Sequence, residues 1–192
     1  MSKSRTFITY VEDRPGVLNR VVSLFRRRGY NIESLTVGRT ARPEVSRITL
    51  VVAADDDTAR RIEANLYKLV NVLYVADVTG AAAVVREMAL IKVAADNGKR
   101  AEILQLCEVF RARVVDVAPD SLLLEATGAQ DKIDRLVEVL RPFGLLEMVR
   151  TGAVAMLRGQ PAGAVATAPE WAALDRAAPD SRPPMTDEFA AA

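Results

Sequence analysis

In EDRPGVLNR, Glu12–Arg20, the spacing of apolar residues changes from every second position to every third or fourth. Before it, Arg5–Val11 roughly alternates apolar and polar, the period of a strand with one buried face. After it, Val17, Leu18, Val21, Val22, Leu24 and Phe25 recur at helical spacing. Pro15 suits a first helical position and Gly29 the residue just past the end. Gly16 is the odd choice, since glycine weakens a helix. Either the turn requires it, or something small approaches the backbone there.

Reading outward, YNIESLTVGRT (30–40) is a second strand, ARPEV (41–45) a turn and SRITLVVAA (46–54) a third strand. Asp57 or Thr58 can cap a second helix whose stripe is Ile62, Leu66 and Leu69. NVLYVADV (71–78) closes the unit, giving the order β-α-β-β-α-β. Leu18, Val22, Phe25, Ile62 and Leu66 are the expected core of this first unit.

The order then returns. EMALIKVAA (87–95) is a strand, Lys99–Phe110 a helix, ARVVDVA (112–118) and SLLLEATG (121–128) a strand pair, Asp131–Leu140 a helix and GLLEMVRTG (144–152) a strand. Val78-Thr79-Gly80 and Val149-Arg150-Thr151-Gly152 match in position as the units end. The fold class is therefore α+β: two tandem ferredoxin-like βαββαβ domains, each an antiparallel sheet with both helices on one face. The expected boundaries are 1–80, a linker at 81–85, a second domain at 86–158 and an Ala/Pro-rich tail at 159–192. That tail is expected to be disordered or to dock only on contact, with Trp171 and Leu174 on one side of a short helix. The sheet face away from the helices needs cover too. Thr9, Val11, Val37 and Val51 are assigned to it, and pairing with a second copy is the expected solution.

Composition excludes several chemistries. The chain of 192 residues has no histidine and one cysteine, which removes histidine triads, the usual zinc sites and an intrachain disulfide. Cys107 lies near the apolar stripe of its helix and reads as a small buried hydrophobe. Asp55–Asp57 sit at the foot of a helix and read as caps rather than catalytic carboxylates. Net charge is +1, so no general attraction to nucleic acid or anionic membrane is expected. Arg26–Arg28 end the first helix, where its dipole favours cations. RNA binding through the sheet is disfavoured, since paired exposed aromatics and a basic sheet face are lacking. With no long apolar run and no signal-peptide core, a soluble, cytoplasmic protein is expected.

What remains is ligand binding at the first strand–helix junction. Gly16 lets a ligand approach unsatisfied N–H donors at a helix start, which suits a carboxylate. Asn31 can both donate and accept, while Val17, Leu18 and Ile32 could line an apolar slot. An ordinary helix start and chain reversal explain the same residues. Nucleotide-type phosphate loops do not occur in the sequence.

RPGVLNRVVSLFRRRGYNIESLTVGRT (14–40), followed by SRITLVV, resembles the small, regulatory subunit of acetolactate synthase, also called acetohydroxyacid synthase. GYNIESLTV is the most specific part, and REMALIKV, RARVVDV and EATG extend the resemblance to roughly 5–158. The resemblance implies an N-terminal ACT domain, a ligand-sensing module, and a related second domain. It implies no catalytic residues and no cofactor on this chain. The expected partner is the large catalytic subunit, carrying thiamine diphosphate, Mg²⁺ and FAD. That subunit would be activated by this chain and made sensitive to valine. The effector would sit between ACT domains of a homodimer, at positions matching Gly16, Val17, Leu18, Asn31, Ile32 and Thr36. The other reading of such a module is a free-standing amino-acid sensor that regulates a different enzyme.

Overall fold

The computed structural model describes residues 3–96 and 98–159. The first unit runs β1 (Lys3–Glu12), α1 (Val17–Arg28), β2 (Ile32–Arg39), β3 (Val45–Ala54), α2 (Asp56–Leu66) and β4 (Val72–Asp77). The second runs β5 (Ala83–Ala94), α3 (Arg100–Phe110), β6 (Arg113–Val117), β7 (Ser121–Gly128), α4 (Gln130–Leu140) and β8 (Leu145–Arg150). A short β9 (Val154–Leu157) follows. Both sheets are antiparallel, in the orders β2-β3-β1-β4 and β6-β7-β5-β8. The two tandem ferredoxin-like units read from the sequence are present. Expectations for 160–192, including Trp171, lie outside the described residues.

Each sheet buries one face under its helices. In the first unit, Phe7, Ile48 and Leu50 meet Phe25 of α1 and Ile62 and Leu66 of α2. In the second, Ile91, Leu122 and Leu124 meet Ile103, Ile133 and Leu136. Cys107 is buried in that second core, and burial pushes its thiol pKa up. Leu18 and Val22 depart from expectation, being 39% and 37% exposed. Val17, Val21 and Phe25, spaced i, i+4, i+8, fill the inward face of α1, so residues one step further on are turned about 100° away from it. The cap of α2 is also shifted: Asp55, not Asp57 or Thr58, stands at the N-cap and accepts the Thr58 N–H at 2.8 Å.

The face away from the helices is organised differently from the sequence reading. Thr9 and Val11 share the helix side with Phe7, and Val37 pairs with Ile48 on that same side; of the residues assigned to the second face, only Val51 lies there. Ile8, Thr49 and Val51 form its centre and are buried, at 3%, 3% and 8% exposure. Part of their cover comes from the same chain. Ile8 clusters with Val78 and Ala155, against which Ala83 and Val85 also pack. These belong to a small ladder in which Ala83–Arg86 of β5 pair with Val154–Leu157 of β9. Residues 83–85 therefore do not act as a linker. They begin a twelve-residue strand whose last eight residues, Glu87–Ala94, belong to the other sheet.

The two units are in close contact at Gly152. A Cβ there would lie 2.4 Å from Thr36 Oγ1 and 2.8 Å from both the Leu35 carbonyl oxygen and Ser34 Oγ. One residue on, the Ala153 N–H donates to Ser34 Oγ at 2.8 Å. Gly152→Ala is therefore expected to destabilise the chain by about 1–3 kcal/mol through overpacking. Gly80→Ala, whose Cβ would meet nothing within 4 Å, is the control and should shift stability by less than about 0.5 kcal/mol. Urea unfolding midpoints of the two variants check this; equal shifts would mean that the contact at Gly152 is loose.

Candidate effector-binding site

The loop from β1 to α1 is held by polar contacts to its neighbours. Glu12 N–H donates to the Asn71 carbonyl at 3.0 Å and Asp13 N–H to the Glu44 carbonyl at 2.8 Å. The Asn71 side chain donates through Nδ2 to Glu12 Oε2 at 2.7 Å and accepts from Arg20 through Oδ1. Arg14 adds an ion pair to Glu12 at 3.4 Å. The Glu12 carboxylate is thus engaged beside the helix start rather than over it. Asn71, read only as the first residue of a strand, is buried and fixes this loop. An isolated asparagine before a strand carries no sequence signal for such a role.

The helix start itself is bare. Gly16 stands at the N-cap with φ 83° and ψ −7°, a left-handed conformation that explains the glycine. It supplies no capping side chain, and the first turn has no acidic residue. The Val17 N–H reaches the Arg14 carbonyl at 3.3 Å, while those of Leu18 and Asn19 have no acceptor among the described residues. α2 is the contrast: Asp55 caps it, and Asp56 and Asp57 occupy its first turn. Two helices of one unit thus begin in opposite ways. The positive end of α1 is left to solvent or to an anion.

The six residues expected at the site do not converge within one chain. Gly16, Val17 and Leu18 share the start of α1; Val17 is buried in the core and offers its backbone only, whereas the Leu18 side chain is exposed. Asn31 is exposed and lies past the other end of α1, beyond Gly29. A helix of twelve residues puts these ends about 18 Å apart. Ile32 packs against the first core and so contributes little to a slot. Thr36 lies on the opposite sheet face, where its hydroxyl is buried beside Gly152 without a hydrogen-bond partner. One chain supplies two half-sites, at the two ends of α1.

A second cavity, about 380 Å³, lies where the units meet, between Ser34 and Val51 on one side and Glu87, Arg150 and Gly152 on the other. Its arginine is already paired. Arg150 binds Glu87 at 2.5 Å, Asp134 at 2.6 Å and the Gln130 carbonyl at 3.3 Å, tying β8 to β5 and α4. The Gly152 contact and this clamp were missed in the sequence. The positional match of Gly80 and Gly152 was their only trace.

Capping of α2 has a pH consequence. Accepting the Thr58 backbone N–H, reinforced by the Thr58 hydroxyl, holds the Asp55 carboxyl below its ordinary pKa. A depressed carboxylate pKa contributes stability that is present above the unfolded-state value and lost as pH falls through the folded one. Hydrogen-exchange protection of the Thr58 amide should accordingly fall below the ordinary carboxylate range. In Asp55→Asn, which cannot titrate, that fall should be absent. An unchanged profile in the variant would show that Asp55 does not control this helix end.

Residues 86–159 match the family described as small subunit of acetolactate synthase, and residues 7–74 match the AHAS small subunit-like ACT domain. The chain is 48% identical over 154 residues to a probable acetolactate synthase small subunit of Archaeoglobus fulgidus, covering 80% of this chain and 96% of that one. It is 47% identical over 157 residues to the acetolactate synthase small subunit of Mycobacterium bovis, covering 82% and 94%. The crystal structure of the acetolactate synthase small subunit from Thermotoga maritima superposes with a TM-score of 0.76 at 40% identity, over 83% of this chain and 99% of that one.

Proposed function

The chain belongs to the acetolactate synthase small-subunit family, and we propose on that premise that it activates a catalytic large subunit and makes it sensitive to valine. In this reading the chain works in the cytoplasm without catalytic residues of its own. Thiamine diphosphate, Mg²⁺ and FAD belong to the partner.

One observation carries the effector part of the proposal: the uncapped start of α1 at Gly16 and the exposed Asn31 stand at opposite ends of one helix. β2 is an edge strand, with Val37 exposed on its helix side and Leu18 and Val22 exposed on α1. A homodimer formed edge to edge through β2 about a two-fold axis runs the two α1 helices antiparallel. The Gly16 end of one copy then meets the Asn31 end of the other, giving two equal pockets. Each offers free N–H donors to a carboxylate, an amide to an amino group and Leu18 to an aliphatic side chain. That donor set suits an α-amino acid with an apolar side chain, which is why valine fits. Burial of the Leu18, Val22 and Val37 surfaces favours the pairing.

The regulation follows from linkage. Valine inhibits only in so far as it binds the inactive arrangement better, and about 1–3 kcal/mol of coupling gives several-fold to a hundredfold effects. The test is acetolactate formation by the cognate catalytic subunit, with and without this chain, over a valine titration. Activation that valine reverses is expected. Asn31→Ala should keep activation and raise the valine concentration for half-inhibition at least tenfold, about 1.4 kcal/mol. No activation would reject the subunit role; unchanged inhibition in the variant would reject the role of Asn31 alone.

A further inference from the structure

On the helix side of the first unit, α1 and the end of α2 enclose a groove of about 350 Å³. Its floor is apolar: Leu24 and Leu69 are half-buried and pack on the first core. Its walls are cationic, with Arg20, Arg27 and Arg28 from α1 and Lys68 from just past α2. No carboxylate lines it, and among the described residues none of these four cations has an ion pair. Arg20 donates to Asn71 and Lys68 to Asn65, both neutral. The dipole of α1 accounts for Arg27 and Arg28 in its last turn. It does not account for Lys68, which comes from another element and converges on the same space. Like charges gathered over an apolar floor leave a site for an acidic segment with an apolar anchor.

The same chain holds such a segment. Residues 160–192 carry five acidic and two basic side chains, net −3, whereas residues 1–159 carry 24 basic and 20 acidic, net +4. Within 160–192, MTDEF (185–189) is where two acids stand side by side, bracketed by Met185 and Phe189. Glu170, Asp175 and Asp180 are isolated acids, and Asp175 has Arg176 next to it. Asp187 is 28 residues past Gly159, a reach of up to about 90 Å at full extension. That exceeds the roughly 18 Å length of α1 severalfold. Covalent tethering at such distances gives effective concentrations approaching the millimolar range, so a weak contact suffices. We propose that the groove between α1 and α2 is a docking site for Met185–Phe189 of the same chain. Asp187 and Glu188 pair with Lys68 and the arginines, and Phe189 lies on Leu24 and Leu69. The site is separate from the proposed effector pocket and does not depend on that reading.

The test is zero-length carbodiimide crosslinking of the full chain, with products mapped by mass spectrometry. Its five lysines, Lys3, Lys68, Lys92, Lys99 and Lys132, serve as mutual controls. Lys68 is expected to join Asp187 or Glu188 at least fivefold more often than any other lysine does. The product should fall at least fivefold in Arg27→Glu/Arg28→Glu and in about 1 M salt, where screening shortens to about 3 Å. In a mixture of ¹⁵N-labelled and unlabelled chains it should stay within one copy. Equal yields at all lysines, or a Lys68 link to Glu170, Asp175 or Asp180, would overturn the assignment. So would a link between copies, or transfer of the Lys68 link to an added catalytic subunit.

Discussion

A sheet with both helices on one side leaves its other side to be buried, and the first sheet here meets that demand in part with its own chain. Ile8 and Val51 cannot face water without cost; each fully buried aliphatic side chain is worth about 1.5–3 kcal/mol. Val78, Ala83 and Ala155 supply cover, which is possible because β5 is long enough to serve two ladders. Its first four residues pair with β9 under the first sheet, and the remaining eight form a central strand of the other. Small residues matter in this arrangement. Ala155 and Gly152 let backbone lie close on β1 and β2, and a larger side chain at either place would push the ladder away.

The repeated βαββαβ order was legible because helices and strands of half-buried units carry strong periodicities. The helix-side cores followed from the same pattern, with Phe25, Ile62 and Leu66 found as expected. The errors have separate causes, the first being that a period gives the angle of a stripe but not the width of the surface that covers it. Leu18 and Val22 belong to the apolar stripe of α1, yet the sheet beneath reaches only Val17, Val21 and Phe25. Assigning Thr9 and Val11 to the wrong face came from taking composition in place of register, which Phe7 sets. β9 was invisible since four residues after a turn, VAML, carry no period of their own.

The site was legible to a different degree. Gly16 was singled out for a conformation it does adopt, and the missing cap of α1 follows from a first turn with no acidic residue. What one chain cannot reveal is convergence. Gly16 and Asn31 seem close in sequence, separated by one helix, but that helix carries them to opposite ends of the unit. Thr36 is separated from both by strand alternation, since one position along β2 changes the face.

This placement of Thr36 bears on how a signal could leave the proposed pocket. β2 begins beside Asn31 and, three to five residues past it, runs under Gly152 and Ala153 of the second unit. Two residues before Gly152, Arg150 is fastened to Glu87 and Asp134. A displacement of β2 therefore presses on a glycine with no space beside it, and that glycine is anchored to the second sheet. The energies are of the right size. One hydrogen bond such as Ala153 to Ser34 contributes about 0.5–1.5 kcal/mol, and typical coupling between sites is about 1–3 kcal/mol. Making or breaking one or two contacts at this junction would thus span the whole of an ordinary allosteric effect. Close packing at Gly152 is what makes the response discrete, because a filled contact shifts or holds and does not yield gradually.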